Sequence, residues 1–273
     1  MAQFFNHMML SYATLDPPDL ATTTSAPLVG IVIPLYRHSV LVTEAIDSAV
    51  HQITDFTYKV VIVIDGCPNT ESHSTTFHYL RAYPDRIIRV QKPNEGLSSA
   101  RNAGVRCLLR AWPSIQAVYF LDADNRLLPY ALQNAWDTLS QARTKDDTVA
   151  WAYPDIDMFL SDYNADHRGS FSRLRLLYQN YCEAGSLAHR CLFDAGLRFD
   201  EQMKYGFEDW EFWWQAIEKG YKGAHVENMG FQYRKRPESM LKDAGRVADV
   251  TLGYMRQKHP TLLSPKTLLR FEH

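Results

Sequence analysis

Only four cysteines occur in the 273 residues, Cys67, Cys107, Cys182 and Cys191, and no two of them form a C-x-x-C pair. That sparseness argues against a disulfide framework and fits free thiols in a reducing compartment, with a Cys182–Cys191 bridge as the alternative. No apolar run approaches the ~18 residues that cross a bilayer. The apolar opening, Met1 to Leu10, lacks a basic n-region and a clear cleavage site, so it reads as an arm or small packing element and not as a signal. Neither sign of charge dominates: 29 basic residues against 31 acidic leave a net charge of −2, which gives no basic surface for nucleic acid. There is no internal repeat, and no biased tract beyond residues 11–27, whose Ser, Thr, Ala and Pro suit a loose leader.

What is present is ordinary for a soluble globular chain: 46% apolar and 22% charged residues, enough for one large domain or two modest ones. Order is expected from Val29-Gly-Ile-Val-Ile-Pro34, a β-branched run bounded by Pro. Ser39 is placed to cap a helix reaching Gln52, with Leu41, Ala45, Ile46 and Ala49 on one side. The alternation continues with strands at Tyr58–Ile64, Arg86–Val90 and Ala117–Leu121. Helices are expected at Thr70–Ala82, Leu97–Ala111 and Pro129–Ala142. Fully apolar strands alternating with helices predict an α/β fold with a mostly parallel central sheet and helices on both faces. Beyond residue 147 the pattern predicts a strand at Val149–Tyr153, a polar loop over Asp155–Ser172 and mostly helix over 173–195. A Trp-rich helix at Glu208–Lys219, strands near 222–226 and 229–233, and a terminal helix at Leu241–Lys258 follow.

In parallel sheets ligands sit beyond the carboxyl ends of the strands, and two acidic groups fall there. Asp122-Ala-Asp124 follows the buried Ala-Val-Tyr-Phe-Leu run, so its carboxylates face solvent on a turn and suit a hard divalent cation that also binds phosphate oxygens. Asp65 ends the second strand, and Gly66 lets the chain turn and a ligand approach the backbone. Arg101 lies near the start of a helix at the same edge. It can hold a base edge or a phosphate bidentately, or lie on the helix surface. Glu208-Asp209 opens a helix, where the dipole favours an anion and a carboxylate facing a hydroxyl can serve as general base. The alternative is an ordinary acidic helix start. Trp210, Trp213 and Trp214 read as helix packing. His225 reads as a metal ligand or as a core or surface histidine. Arg234-Lys-Arg236 reads as a diphosphate clamp or as a solvated loop.

Ile31-Val-Ile-Pro-Leu-Tyr36, Ala45-Ile-Asp-Ser48 with Gln52, Val61-Ile-Val-Ile-Asp65-Gly66, the run Asn94–Gly104, Phe120-Leu-Asp-Ala-Asp124 and Phe207-Glu-Asp209-Trp-Glu-Phe-Trp213 follow one another in an order that closely resembles the family 2 glycosyltransferases. The resemblance runs from about Val29 to Ser239. It implies a GT-A, Rossmann-like fold and an inverting transfer of sugar from a nucleoside-diphosphate sugar, by family habit a UDP-sugar, to an acceptor hydroxyl.

Carried over residue by residue, the resemblance puts Pro34 and Tyr36 at the border of the nucleotide, Asp65 on the base and Arg101 on the base or diphosphate. Asp122 would reach the ribose or the metal, and Asp124 would ligate Mn2+ or Mg2+. Asp209 would be the base, with Glu208 positioning the acceptor. Gly185 and Ser186 lie in a segment like the one flanking the donor sugar, and the Tyr233–Ser239 stretch, with Arg234 and Arg236, resembles a tail loop that closes over the diphosphate. The chain departs from the family at Asp65-Gly66-Cys67, where many members carry two acids, and it has no Gln-x-x-Arg-Trp, which argues against a processive polymer synthase. The expected layout is a leader over 1–27, a catalytic domain over 28–240 with a nucleotide half (28–147) and an acceptor half (148–240), and a helical extension over 241–273. The expected acceptor is a glycan, a lipid-linked sugar, a protein or a small molecule. The expected location is the cytoplasm, with peripheral contact to a membrane's inner face if the acceptor is lipid-linked. Two other readings share the fold: a protein that binds the nucleotide sugar without turning it over, and a sugar-1-phosphate nucleotidyltransferase. The second would place a Gly-rich, Arg-bearing loop where Pro34-Leu-Tyr-Arg-His38 stands.

Overall fold

A computed structural model describes residues 25–159, 169–235 and 247–271. Seven strands form the main sheet in the order β3-β2-β1-β4-β8-β6-β9: β1 (Val29–Leu35), β2 (Tyr58–Asp65), β3 (Ile87–Lys92), β4 (Ala117–Phe120), β6 (Val149–Pro154), β8 (Leu187–His189) and β9 (Lys222–Val226). The first four are parallel, with Val29–Leu35 aligned on Tyr58–Ile64 and Val29–Val32 aligned on Ala117–Phe120. Their side chains alternate between two buried layers. Val32, Val61, Val63, Val118 and Phe120 join one, while Ile31, Ile33, Val60, Ile62, Ile64 and Tyr119 join the other. A sheet covered on both faces requires this unbroken apolar run, which is why the strands were legible without an alternating pattern.

Helices α1 (Leu41–Val50), α2 (Thr70–Ala82), α3 (Leu97–Ala111) and α4 (Ala131–Lys145) cover the faces. The apolar stripe of α1 is buried as expected, through Val42, Ala45, Ile46 and Ala49. Its cap is not as expected: Val40 flanks the helix without a side-chain cap, and Ser39 Oγ instead donates to Glu71 Oε2 at 3.1 Å. A second, three-stranded sheet, β5-β10-β7, is built from β5 (Arg126–Leu127), β10 (Phe231–Arg234) and β7 (Asp157–Phe159). β7 lies where the sequence predicts only a polar loop. It forms because Asp157–Phe159 adds in parallel to the edge of β10, and three residues carry too little pattern to announce that.

The stretch 173–195 is also not mostly helical. It holds α5 (Arg173–Tyr178), then β8, then α6 (Arg190–Asp194). β8 runs antiparallel to both of its neighbours. Its first residue, Leu187, pairs with Tyr119 near the end of β4, and Phe120 N donates to Ser186 O. The chain therefore enters β8 at the same edge where β4 leaves.

Helix α7 (Glu208–Glu218) buries Trp210, Trp213 and Trp214 at 5%, 0% and 1% exposure, as packing and not as an open platform. The terminal helix is seen as α8 (Ala248–Lys258), followed by α9 (Pro265–Phe271). Met255 and Leu262 are buried in the same layer as α7. All four cysteines are free thiols. Among the described residues, no helix is long and apolar enough to cross a membrane. The expected leader, apart from its last residues, and Arg236 lie outside the described residues.

Candidate active site

The carboxyl ends of β1, β2 and β4 form one edge, and the sequence-predicted residues gather along it. β1 delivers buried Pro34 and, just past its end, Tyr36, which is 37% exposed. β2 delivers Asp65, only 3% exposed, two strand spacings (~10 Å) from the β4 end. Lys92 Nζ lies 2.6 Å from Asp65 Oδ1, which also accepts from Glu95 N at 3.1 Å, while Gly96 N donates to Oδ2 at 2.8 Å. Asp65 is thus tied to the loop that opens α3. Burial opposes the Lys92 charge, but its bonds to Asp65 and Glu95 outweigh that and raise its pKa. Gly66 has φ +60, and a Cβ there would lie 2.4 Å from Asn94 N, so the turn needs glycine twice over.

Arg101, in the second turn of α3, is 1% exposed and does not lie on the helix surface. Its Nη2 donates to Asp122 Oδ1 at 2.8 Å and its Nη1 to Glu208 Oε1 at 2.6 Å. Burial works against the guanidinium charge, but Asp122, Glu208 and Asp209 outweigh it and raise its pKa. One internal cation therefore joins the end of β4 to the start of α7.

Asp209 is 8% exposed. Its Oδ1 accepts from Trp210 N at 2.7 Å and from Asn180 Nδ2 at 3.1 Å. Burial, then the charge of Glu208, push this carboxyl up to about 7 against the pull of Arg101. Such a value suits a general base at neutral pH. Glu183 stands on the segment entering β8. Burial, then Asp209 and Asp122, push it well above the carboxylate range. Tyr233 is raised by burial and by Glu183, Asp124, Asp122 and Asp209. The two bonds of Arg101, to Asp122 and to Glu208, bring acids far apart in the chain to one place.

The remaining predicted residues are placed as follows. Arg234 is buried on β10, donating from Nε to Asp124 O at 2.8 Å, with its Nη2 2.7 Å from Glu44 Oε2. Asn125 Oδ1 accepts from Arg234 N at 2.9 Å, which fixes the turn carrying Asp122 and Asp124 against the small sheet. Ser186 Oγ donates to Glu183 O, and Gly185 N donates to Glu183 Oε2 at 3.0 Å, so this pair shapes the Glu183 segment. A Cβ on Gly185 would meet the Phe231 ring at 2.4 Å. His225 faces Asp155, with Nε2 2.6 Å from Oδ1.

Residues 30–204 match the family model described as Glycosyl transferase family 2. The chain belongs to this family. Among family relatives it is 27% identical over 216 residues to the minor teichoic acid biosynthesis protein GgaB of Bacillus subtilis, covering 77% of this chain and 23% of that protein. It is 29% identical over 236 residues to an uncharacterized glycosyltransferase of Rickettsia typhi, covering 81% and 66%. The chain thus spans from about a quarter to two thirds of the length of these two relatives. In structure it is similar to Staphylococcus aureus TarS 1–349 in complex with UDP-GlcNAc, at TM-score 0.60 and 18% identity over 79% of this chain and 60% of that one. It is equally similar, at TM-score 0.60 and 18% identity over 80% and 59%, to the mannosyltransferase PcManGT from Pyrobaculum calidifontis in complex with GDP-Man and Mn2+. These likenesses identify the fold as GT-A.

For a family 2 glycosyltransferase, the donor set at the crevice is hard oxygen. Among the described residues, no three His, Cys, Asp or Glu side chains form a closed metal cage. A cation such as Mg2+ needs only one or two carboxylates when phosphate oxygens complete its shell, so Asp122 and Asp124 fit that role together with a diphosphate. The sequence reading missed Glu183, Asn180 and Lys92. Lys92 had one available signal, a lysine closing a strand beside the Asp65 strand.

Proposed function

We propose that this chain is an inverting transferase that moves a sugar from a nucleoside-diphosphate sugar, a UDP-sugar in the first instance, to an acceptor hydroxyl. The supporting observation is the convergence of Asp122, Asp124, Glu183, Glu208 and Asp209 around Arg101 and Tyr233 at one strand-end crevice. TarS, bound to UDP-GlcNAc, and PcManGT, bound to GDP-Man and Mn2+, point to the same donor class. Asp209 takes the proton from the acceptor hydroxyl as that oxygen attacks the anomeric carbon, and the nucleoside diphosphate leaves from the opposite face. Its Oδ1 is held by Asn180 and Trp210, which leaves Oδ2 for the hydroxyl. Arg101 keeps Glu208 and Asp122 in place on either side of the reacting centre. Asp122 and Asp124 would hold Mn2+ or Mg2+, which supplies charge neutralisation on the leaving diphosphate. Holding donor and acceptor together supplies much of the acceleration, by making one reacting unit of two. The acceptor class is a glycan, a lipid-linked sugar or a small molecule.

A thermal-shift series with nucleoside diphosphates, with and without Mn2+, tests the donor half of this reading. One base should stabilise the chain, and more so with metal. No stabilisation by any nucleotide would overturn it.

A further inference from the structure

A second buried charge cluster lies outside the crevice, on the helix that carries Glu208 and Asp209. Glu211, one turn further along α7, has 0% side-chain exposure. A carboxylate so buried is costly unless cations and hydrogen bonds meet it. Gln215 Nε2 donates to its Oε2 at 2.7 Å. The cations come from the C-terminal end of the described chain: Lys258 Nζ is 2.7 Å and His259 Nε2 2.8 Å from Glu211 Oε1. The other nitrogen of His259, Nδ1, lies 2.7 Å from Glu218 Oε2. An imidazole with a carboxylate on each nitrogen donates both bonds only as the doubly protonated cation.

Further contacts close the cluster. Lys258 Nζ and Tyr254 Oη both reach Asp200 Oδ2, at 2.5 and 2.6 Å. Thr261 Oγ1 donates to Glu218 Oε1. Met255 and Leu262 are buried on either side, and the Trp214 ring meets His259 edge-on at 6.1 Å. The start of α7 is therefore pinned at two points, by Arg101 through Glu208 and by the chain's tail through Glu211.

We infer that α8 and the turn after it form a clamp that sets the working position of α7, with Lys258 and His259 as positioning residues that neutralise Glu211. The inference rests on the reading of Asp209 as the base. Neither residue touches the reacting atoms. They act through the helix, where a displacement of ~1 Å is enough to cost on the order of 100-fold in rate. Their ion pairs go to Asp200, Glu211 and Glu218 and to no residue of β1, β2 or β4.

The test uses the full chain with His259→Gln, Lys258→Met, and the double variant His259→Gln/Glu211→Gln. The single variants should lower kcat at least ten-fold and leave KM for the donor within two-fold. Adding Glu211→Gln should restore most of the lost rate, because it removes the buried charge that Lys258 would otherwise have to meet alone. The groups facing His259 are Glu211 and Glu218 of α7, Lys258 beside it, and Lys219, Tyr254 and Asp200 around these. Burial opposes its charge, but Glu211 and Glu218 hold its pKa above the ordinary histidine value. The clamp is therefore complete at low pH and lost as pH rises through that raised value. Wild-type kcat should show an alkaline limb that His259→Gln lacks.

Unchanged kcat in His259→Gln, or a loss that Glu211→Gln does not relieve, would overturn the inference. If His259→Gln does not fold, the double variant decides alone: near-normal kcat supports the clamp and low kcat rejects it. Hydrogen exchange of the α7 amides separates this from the base assignment. It should quicken in His259→Gln and slow again in the double variant even if Asp209→Asn proves active.

Discussion

Arg101 and Glu208 are 107 positions apart in the chain and 2.6 Å apart in the fold. With Asp122 on its other arm, this one guanidinium compensates two acids brought from opposite halves of the sequence. Arg101→Met should therefore leave buried carboxylates unopposed and cost about 3–5 kcal/mol of stability, read by urea unfolding. Arg101→Lys should recover only part of it, since an ammonium cannot serve two partners with a fixed fork.

Asp209→Asn should stop transfer while nucleotide affinity, read by calorimetry, stays within about three-fold of wild type. It should also stabilise the fold. In the unfolded chain this carboxyl ionises near pH 4, whereas the native chain keeps its proton up to about 7. The native state binds the extra proton between those values, so wild-type stability falls as pH rises through the window. The gain in Tm on Asp209→Asn should be small at pH 4 and full by pH 8. A gain independent of pH would show that the charge of Asp209 is not what strains the site.

Asn180→Ala removes the amide bonded to Asp209 Oδ1. A hydrogen bond to the charged form lowers a carboxyl pKa, so its loss should raise the base further. The acid limb of kcat/KM should move upward in pH, and kcat near neutrality should fall by about ten-fold, within the usual range for a disturbed general base. An unmoved limb would deny Asn180 this role.

The first half of the chain was readable because β1, β4 and most of β2 are apolar runs buried on both faces. The helices Thr70–Ala82 and Leu97–Ala111 match their expected bounds residue for residue. The acids at strand ends were readable for the same reason: a strand end in a parallel sheet fixes where its next residue goes. In the second half the strands at Val149 and Lys222 and the Trp-rich helix were also legible, but the stretch 173–195 was not. Leu187-Ala-His189 is a strand only because β4 and β6 flank it, and nothing within three residues says so. Reading that stretch as helix hid Glu183, whose place depends on β8 starting beside the end of β4. Ser39 carries a good capping side chain, yet a partner 32 positions away, Glu71, takes its hydroxyl. Arg101 was expected at the ligand or on the surface. Only the fold reveals that two acids claim it first.

Gly66→Ala should be poorly tolerated. The residue needs φ +60, and its Cβ would press on Asn94 at the base of the Asp65 loop. A loss of about 1–3 kcal/mol is expected from the backbone strain alone. The displaced loop should weaken nucleotide binding as well, measurable in the same thermal-shift series.

The reversed course of β8 has a consequence for how the crevice can change over time. On one side the wall is made of strand exits, and any alteration there disturbs a turn that also begins a helix. On the other side it is made of a strand entrance, where Asn180–Ser186 approaches from outside the sheet and is fastened by Tyr119 Oη to Gly185 O at 2.8 Å. That collar is itself buried at Tyr181, Cys182 and Ala184–Ser186, so a change in it reaches Tyr119, Phe120 and Phe231 behind it. On the proposed function, a grip on the diphosphate at one rim and a choice among sugars at the other would be coupled through those contacts.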